Sequence, residues 1–359
     1  MQRDRAQDKT VPRLLGAVVA LVLAVPLVAP TSAGAVPREF FGVSAVAPSS
    51  DDFARMGAAR VGTYRLLLHW PSVQQSRHAP YDWSAPDHEI ANAARHGIRP
   101  LVFVSSSPKF AGATPQTAPL GSGDARNEWK RFLAAAVSRY GPGGEFWQQN
   151  PTIPRRPVRV WQVWNEQNAG HFFAAPSPRR YAKLLRLSSK AIRRADPRAD
   201  VLLGGMFGYP NGNGSIYMRD YLKRLYRVRG IRSKFDGVAL HPYAATPDQL
   251  RYQVVRARRI MNRNRDKDTP IWITEIGWST DGPSGWPLVT NKDGQAQRLR
   301  QTFKLLARKR HRWGIKRVVW FAWRDFEQDV CRWCGGAGLV ALNGNPKPSL
   351  GAFKGFTKR

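Results

Sequence analysis

Short apolar runs alternate along the chain with segments whose apolar residues recur every three to four positions. The runs predict strands over 40–45, 60–68, 101–104, 158–164, 201–204, 235–240, 271–274 and 318–322. The longer periodic segments predict helices over 51–58, 88–96, 127–140, 177–194, 216–228, 247–262 and 294–311, with a short one from Pro348. In the third of these, Trp129, Phe132, Leu133, Ala136 and Val137 fall on one face, the spacing of a helix packed on one side. Punctuation agrees with the periods. Ser50 or Asp51 is placed to cap the first helix, Ser177 stands just before Pro178, and Gly97, Gly141 and Gly314 follow helix ends. Eight strands alternating with helices predict a parallel sheet covered by helices, and eight units in one domain predict a closed (β/α)8 barrel. An open doubly wound sheet is the alternative, but Phe41-Gly42-Val43-Ser44 opens no glycine-rich phosphate loop.

Length and composition narrow the setting. Of the 359 residues, the first 35 read as a secretory signal. Arg3, Arg5, Lys9 and Arg13 precede an apolar run from Leu14 to Ala29, and Ala33-Gly34-Ala35 offers a small-x-small exit. Cleavage after Ala35 leaves a single catalytic domain over 36–359 and no membrane span. An uncleaved anchor is the alternative, which the short run and Pro26 and Pro30 oppose. The formal charge of +32 suits an anionic partner such as an acidic polysaccharide, or a solvated outer face. No recognised nucleic-acid module accompanies it, so specific nucleic-acid binding is not expected. The only two cysteines, Cys331 and Cys334, read in an exported chain as a short disulfide. A zinc site lacks the second ligand pair it needs, and neither metal nor cofactor is expected. Asp325, Glu327 and Asp329 form a small acidic cluster that reads as a solvated loop, with Arg324 a partner for one of them.

In a barrel of this kind, chemistry gathers at the C-terminal ends of the strands. Arg65, His69 and Trp70 lie near the end of the second strand, Trp164-Asn165-Glu166-Gln167-Asn168 at the fourth, and His241-Pro242-Tyr243 at the sixth. Glu275, Gly277 and Trp278 end the seventh, and Trp320, Trp323 and Asp325 the eighth. Two glutamates on opposite walls of one mouth are the groups that glycoside hydrolysis requires: one to protonate the departing oxygen, one to meet the cationic sugar carbon. Aromatic rings around them suit the C–H face of a sugar.

On these segments the sequence resembles a known group. Val163-Trp164-Asn165-Glu166-Gln167-Asn168 is similar to the Asn-Glu signature of clan A glycoside hydrolases, and Ile273-Thr274-Glu275-Ile276-Gly277-Trp278 to their nucleophile segment. The closest resemblance is to family 39 and its relatives, which include β-xylosidases and bacterial exopolysaccharide hydrolases. The resemblance implies retention of configuration through a covalent glycosyl-enzyme, with Glu166 as acid/base and Glu275 as nucleophile. It further implies that Asn165 binds the 2-hydroxyl of the reacting sugar. Arg65, His241 and Tyr243 position nucleophile and sugar, and Trp323 or Trp320 lies under the ring. Trp278 is a further substrate-binding candidate. The activity expected is that of a β-glycosidase, secreted or held at the cell wall, that degrades an extracellular poly- or oligosaccharide. Trp83, Trp164, Trp278 and Trp286 read as lining a groove suited to internal cleavage. Two other readings stay open: a non-catalytic saccharide-binding barrel, and a basic surface protein that binds polyanions by charge alone.

Overall fold

The computed structural model describes residues 35–327 and 331–358. The expected signal over 1–35 therefore lies outside the described residues apart from Ala35, as does Asp329 of the acidic cluster. Among the described residues, nine strands form one parallel sheet: β1 (Phe41–Ser44), β2 (Thr63–His69), β3 (Arg99–Ser105), β4 (Val160–Val163), β5 (Asp200–Leu202), β6 (Met206–Phe207), β7 (Val238–His241), β8 (Ile271–Ile276) and β9 (Ile315–Phe321). Hydrogen bonding runs β5-β4-β3-β2-β1-β9-β8-β7-β6. The two ends of that order are one stave. β5 and β6 are the halves of the fifth barrel strand, interrupted at Gly204-Gly205, and β5 also reaches β7 through a parallel bridge from Leu202 to Gly237. Asp236 N–H donates to Val201 O at 2.7 Å and Leu203 N–H to Gly237 O at 3.1 Å, so the barrel is closed. The interruption has a steric reason. A Cβ on Gly205, at φ +73°, would stand 2.3 Å from His241 Nε2, so regular strand with a side chain there would displace that imidazole.

Helices α1 (Ser50–Ala58), α2 (Trp70–Val73), α3 (Ser84–Arg95), α4 (Gly123–Tyr140), α5 (Glu145–Gln149), α6 (Pro178–Ala195), α7 (Met218–Tyr226), α8 (Pro247–Arg263), α9 (Lys292–Trp313) and α10 (Pro348–Thr357) follow the strands. Ser49, rather than Ser50 or Asp51, caps α1. Asp52 N–H donates to Ser49 Oγ while Ser49 N–H donates to Asp52 Oδ2, both at 3.1 Å. The expectation failed because three consecutive polar residues offer equivalent caps in sequence. Ser177 caps α6 as expected, and α9 closes on Gly314 in the left-handed region. Helix α4 starts four residues before its apolar period does, because Ser122 caps a polar first turn.

Strand side chains alternate between two apolar environments. Outward ones pack against the helices: Tyr64 meets Phe53 of α1 edge-on at 5.0 Å, and Trp320 meets Phe303 of α9 at 6.3 Å. Inward ones plug the barrel with a separate cluster of Leu101, Leu202, Ala239 and Trp272. That plug is the floor on which the site is built.

Candidate active site

Above the plug, the inward positions turn polar. Arg65 on β2, Gln162 on β4, His241 on β7 and Thr274 and Glu275 on β8 all face the mouth and are buried. Strict alternation would send Thr274 and Glu275 to opposite sides. Between Ile273, paired with Val318, and Ile276, paired with Trp320, β8 carries one residue more than β9. This bulge turns both Thr274 and Glu275 inward, a use of irregularity common beside sites. At the end of β4 the backbone bends differently. Trp164 and Glu166 adopt φ +72° and +41°, conformations that cost about 1–3 kcal/mol each in a non-glycine residue. The turn is pinned where Glu166 N–H donates to Gly204 O at 2.7 Å. It keeps Trp164 outward, with its indole N–H donating to Phe172 O at 2.7 Å, and brings Asn165 and Glu166 into the mouth.

The two glutamates have different company. Arg65 donates through one guanidinium nitrogen to Glu275 Oε1 at 2.6 Å and through the other to Asn165 Oδ1 at 2.8 Å. Its Nε donates to Gln162 Oε1 at 3.3 Å, and its face lies 3.7 Å from the centre of the Phe103 ring. The Tyr243 hydroxyl donates to Glu275 Oε2 at 2.9 Å. Both oxygens of Glu275 are thus engaged by donors, one of them cationic. Glu166 Oε1 shares a hydrogen bond with His241 Nδ1 at 2.7 Å, and His241 Nε2 shares another with Thr274 Oγ1 at 3.0 Å. Burial, and after it the neighbouring charge of Glu275, holds the Glu166 carboxyl well above the usual carboxylate range. Burial and the Arg65 charge push His241 well below its usual value, so the imidazole is neutral. Burial and the Glu275 charge raise the Tyr243 phenol, which stays a donor. The two carboxyl groups thus differ: Glu166 is held above the usual range beside a neutral imidazole, while Glu275 offers both oxygens to donors.

An oxygen of Glu166, an oxygen of Glu275 and a ring nitrogen of His241 lie within 4.8 Å of one another. A cation could be met by all three. However, Arg65 and Tyr243 already occupy the Glu275 oxygens, and the guanidinium charge opposes a second cation at that point.

The structure thus brings together Arg65, Asn165, Glu166, His241, Tyr243 and Glu275. It does not bring the tryptophans of the sequence reading with them. Trp278, Trp320 and Trp323 are fully buried. Their indole N–H groups donate to Ala244 O at 2.8 Å, Ala337 O at 3.1 Å and Asp52 Oδ1 at 2.9 Å respectively. Trp320 points outward to Phe303, so its neighbour Phe321 points inward, and Phe321 is only partly buried at the mouth end of β9. Phase along the strand decides this, and an unbroken run of aromatic residues conceals it. The expected groove fares similarly. Trp164 is buried, Trp83 is partly buried and packs on Phe132, and among the four only Trp286 lines a cavity beside Tyr243. Trp70 stacks on Phe132 in the outer layer, and His69 bonds Ser72 at 2.7 Å. Arg324 pairs with Asp52 at 2.5 Å rather than with the acidic cluster, and Asp325 instead takes Lys347 at 2.9 Å. Cys331 and Cys334 are bonded to each other. The adjoining Trp333 packs edge-on against Tyr243 at 5.1 Å. Sequence reading missed Phe103, Gln162, Thr274, Phe321 and Trp333. Of these, Gln162 and Thr274 carried the available signal, a polar residue inside an otherwise apolar strand.

Residues 158–353 match the family described as glycosyl hydrolase catalytic core. The β-xylosidase of Geobacillus stearothermophilus is 24% identical over 314 residues, an alignment covering 77% of this chain and 56% of that protein. The chain thus spans little more than half the length of that relative. A family 39 glycoside hydrolase from Bacteroides cellulosilyticus WH2 superposes with a TM-score of 0.67 at 20% identity, over 90% of this chain and 65% of the other. A monomeric β-xylosidase from Caulobacter crescentus CB15 gives 0.64 at 18% identity, over 89% and 68%. At those identities the structural likenesses establish the barrel fold. The matched segment runs from the strand bearing Glu166 to α10 and takes in Glu275. The chain belongs to the glycosyl hydrolase catalytic core family.

Proposed function

We propose that the protein is a retaining β-glycosidase, with Glu275 as nucleophile and Glu166 as acid/base. The observation that carries this reading is the closeness of two unlike carboxyl groups, whose nearer oxygens lie within 4.8 Å. Retaining enzymes hold their carboxyl groups about 5–5.5 Å apart, whereas inverting ones leave about 6.5–9.5 Å for a water between them.

In the first step, a Glu275 oxygen bonds to the anomeric carbon as the glycosidic C–O bond breaks and Glu166 gives its proton to the departing oxygen. Arg65 and Tyr243 fix Glu275 in line, and Asn165, itself held by Arg65, is placed for the sugar's 2-hydroxyl. Once Glu275 is esterified its charge is gone, and with it part of what raised Glu166. Glu166 then takes a proton from water, whose oxygen displaces Glu275 from the anomeric carbon. His241 suits both stages. With Nδ1–H donating to Glu166 Oε1 and the Thr274 hydroxyl donating to Nε2, the imidazole holds Glu166 in place in both states and leaves Oε2 to carry the proton that is given and retaken. Phe321 is the candidate for the ring platform.

The signal-like first 35 residues support action outside the cell. The charge of +32 supports an anionic saccharide as substrate or anchor. Helix α6 alone carries Arg179, Arg180, Lys183, Arg186, Lys190, Arg193 and Arg194 with no acidic residue. The test is release of reducing ends from neutral and acidic β-linked polysaccharides and from aryl β-glycosides, beside Glu275→Gln, with the first-formed anomer read by proton NMR. Retention that disappears in the variant is expected. An inverted first product, or activity that survives the substitution, overturns the assignment.

A further inference from the structure

A cavity of about 550 Å³ opens beside the carboxylates, and its walls differ in kind from theirs. Phe207, Tyr209, Tyr243, Tyr252, Trp286 and Leu288 supply most of the lining, and no charged side chain contributes to it. The polar groups it does contain are few and partly committed, with Gln253 Oε1 buried and without a hydrogen-bond partner. Gln249 Oε1 accepts from Ala245 N–H at 3.1 Å. Gln253 Nε2 donates to the carbonyls of Pro242 and Tyr243 at 3.4 and 2.8 Å, and Gln253 is 1% exposed. The Tyr243 hydroxyl is given to Glu275. Tyr209 and Tyr252 are about half exposed at 50% and 49%, the Tyr209 ring packing edge-on against Tyr217 at 5.6 Å.

Two connections join this cavity to the chemistry. Tyr243 is a common wall, touching Glu275 on one side and lining the cavity on the other. The second connection runs to the proton donor. Asn168, two residues after Glu166, donates to Phe207 O at 2.8 Å and accepts from Phe207 N–H at 3.0 Å. The turn that aims Glu166 and the segment that walls the cavity are therefore one hydrogen-bonded unit. A cavity tied to the acid lies on the side of the departing group, because that is the oxygen the acid must reach.

We propose that this cavity receives an apolar aglycone, an alkyl or aryl group that leaves with the glycosidic oxygen, rather than a second sugar. A sugar there would bring several hydroxyls to walls that offer few free partners, and hydroxyls buried without partners are costly. A hydrocarbon chain or ring gains from every contact with aromatic walls. The proposal rests on the glycosidase reading and adds the class of substrate.

Ethyl and octyl β-glycosides of one sugar test it, because the two alcohols are of nearly equal acidity and differ in the surface they can bury. The wild-type protein is expected to show kcat/KM at least about tenfold higher for the octyl substrate. Trp286→Ala and Tyr252→Ala should each bring that ratio towards one. Tyr252 is half exposed on α8, so its replacement spares the core. Cleavage of both substrates at equal kcat/KM, or a ratio unmoved in both variants, overturns the aglycone site and leaves the glycosidase reading standing. If neither substrate is cleaved, the glycosidase reading is judged by the polysaccharide panel, and the cavity by tryptophan fluorescence with octyl and ethyl β-glucosides below the micellar range. Binding of the octyl compound alone, weakened in Trp286→Ala, supports an apolar site. Binding of neither, or of both equally, overturns it.

Discussion

Glu275 and Glu166 face one another across the same mouth, equally buried, yet their surroundings ask opposite things of them. Glu275 accepts from the Arg65 guanidinium at 2.6 Å and the Tyr243 hydroxyl at 2.9 Å, with His241 Nδ1 farther off at 3.5 Å. Glu166 is met by a neutral imidazole and by the repulsion of Glu275, with burial as the largest influence on its proton. The difference teaches that burial alone assigns no role. Burial is joined at Glu166 by the charge of the facing carboxylate, whereas Glu275 has the Arg65 guanidinium and a hydroxyl donor on its oxygens.

The comparison breaks most severely at Glu275. Glu275→Gln should lower kcat/KM by more than about 10⁴-fold on every glycoside, because no first bond to the sugar can form. Glu166→Gln should cost about 10²–10⁴-fold on saccharides and alkyl glycosides. It should cost far less in the first step with an acidic phenol as leaving group, which departs without a proton. Steady-state and burst kinetics on matched aryl and alkyl substrates measure both. A Glu166→Gln loss that ignores leaving-group acidity would mean that Glu166 is not the acid. Tyr243→Phe removes one of the two donors to Glu275 and should cost about 10–100-fold, the value of a hydrogen bond to a charged group.

The proton itself sharpens the comparison. A neighbouring negative charge disfavours ionisation, so Glu275→Gln removes one of the two influences that raise Glu166. Carbon-13 titration of the Glu166 carboxyl should then show its pKa falling, while staying above the usual carboxylate range because burial persists. No change, or a rise, would show that the two carboxyl groups do not sense each other.

How much of this was legible in sequence follows from what side-chain period records. Eight staves, the helices between them and the ends on which Arg65, Glu166, His241 and Glu275 stand all follow from local patterning, and they meet in one mouth. What the period hides is phase. The bulge between Ile273 and Ile276 turns Thr274 and Glu275 to the same side, although alternation would part them. In the run Val318 to Trp323, successive aromatic residues look alike, yet Trp320 faces α9 and Phe321 faces the mouth. The division of the fifth stave was equally hidden, because it depends on an imidazole 36 residues further along the chain occupying the space above Gly205.

Thr274 gives the smallest and most discriminating effect. Its hydroxyl stands 3.0 Å from His241 Nε2, fully buried, and a hydroxyl both donates and accepts. Donating to Nε2, it fixes the tautomer whose Nδ1–H faces Glu166 Oε1, and so leaves the other carboxyl oxygen to give and retake the proton. Valine fills the same space but offers Nε2 nothing, so Thr274→Val should lower kcat by about 3–10-fold, the worth of one neutral hydrogen bond. The basic limb of the pH profile should move as well, since it reports the proton on Glu166. Thr274→Ser keeps the hydroxyl and loses only the methyl, and it should restore both rate and profile. A serine variant as impaired as the valine one would locate the effect in packing rather than in the hydrogen bond that fixes the His241 tautomer.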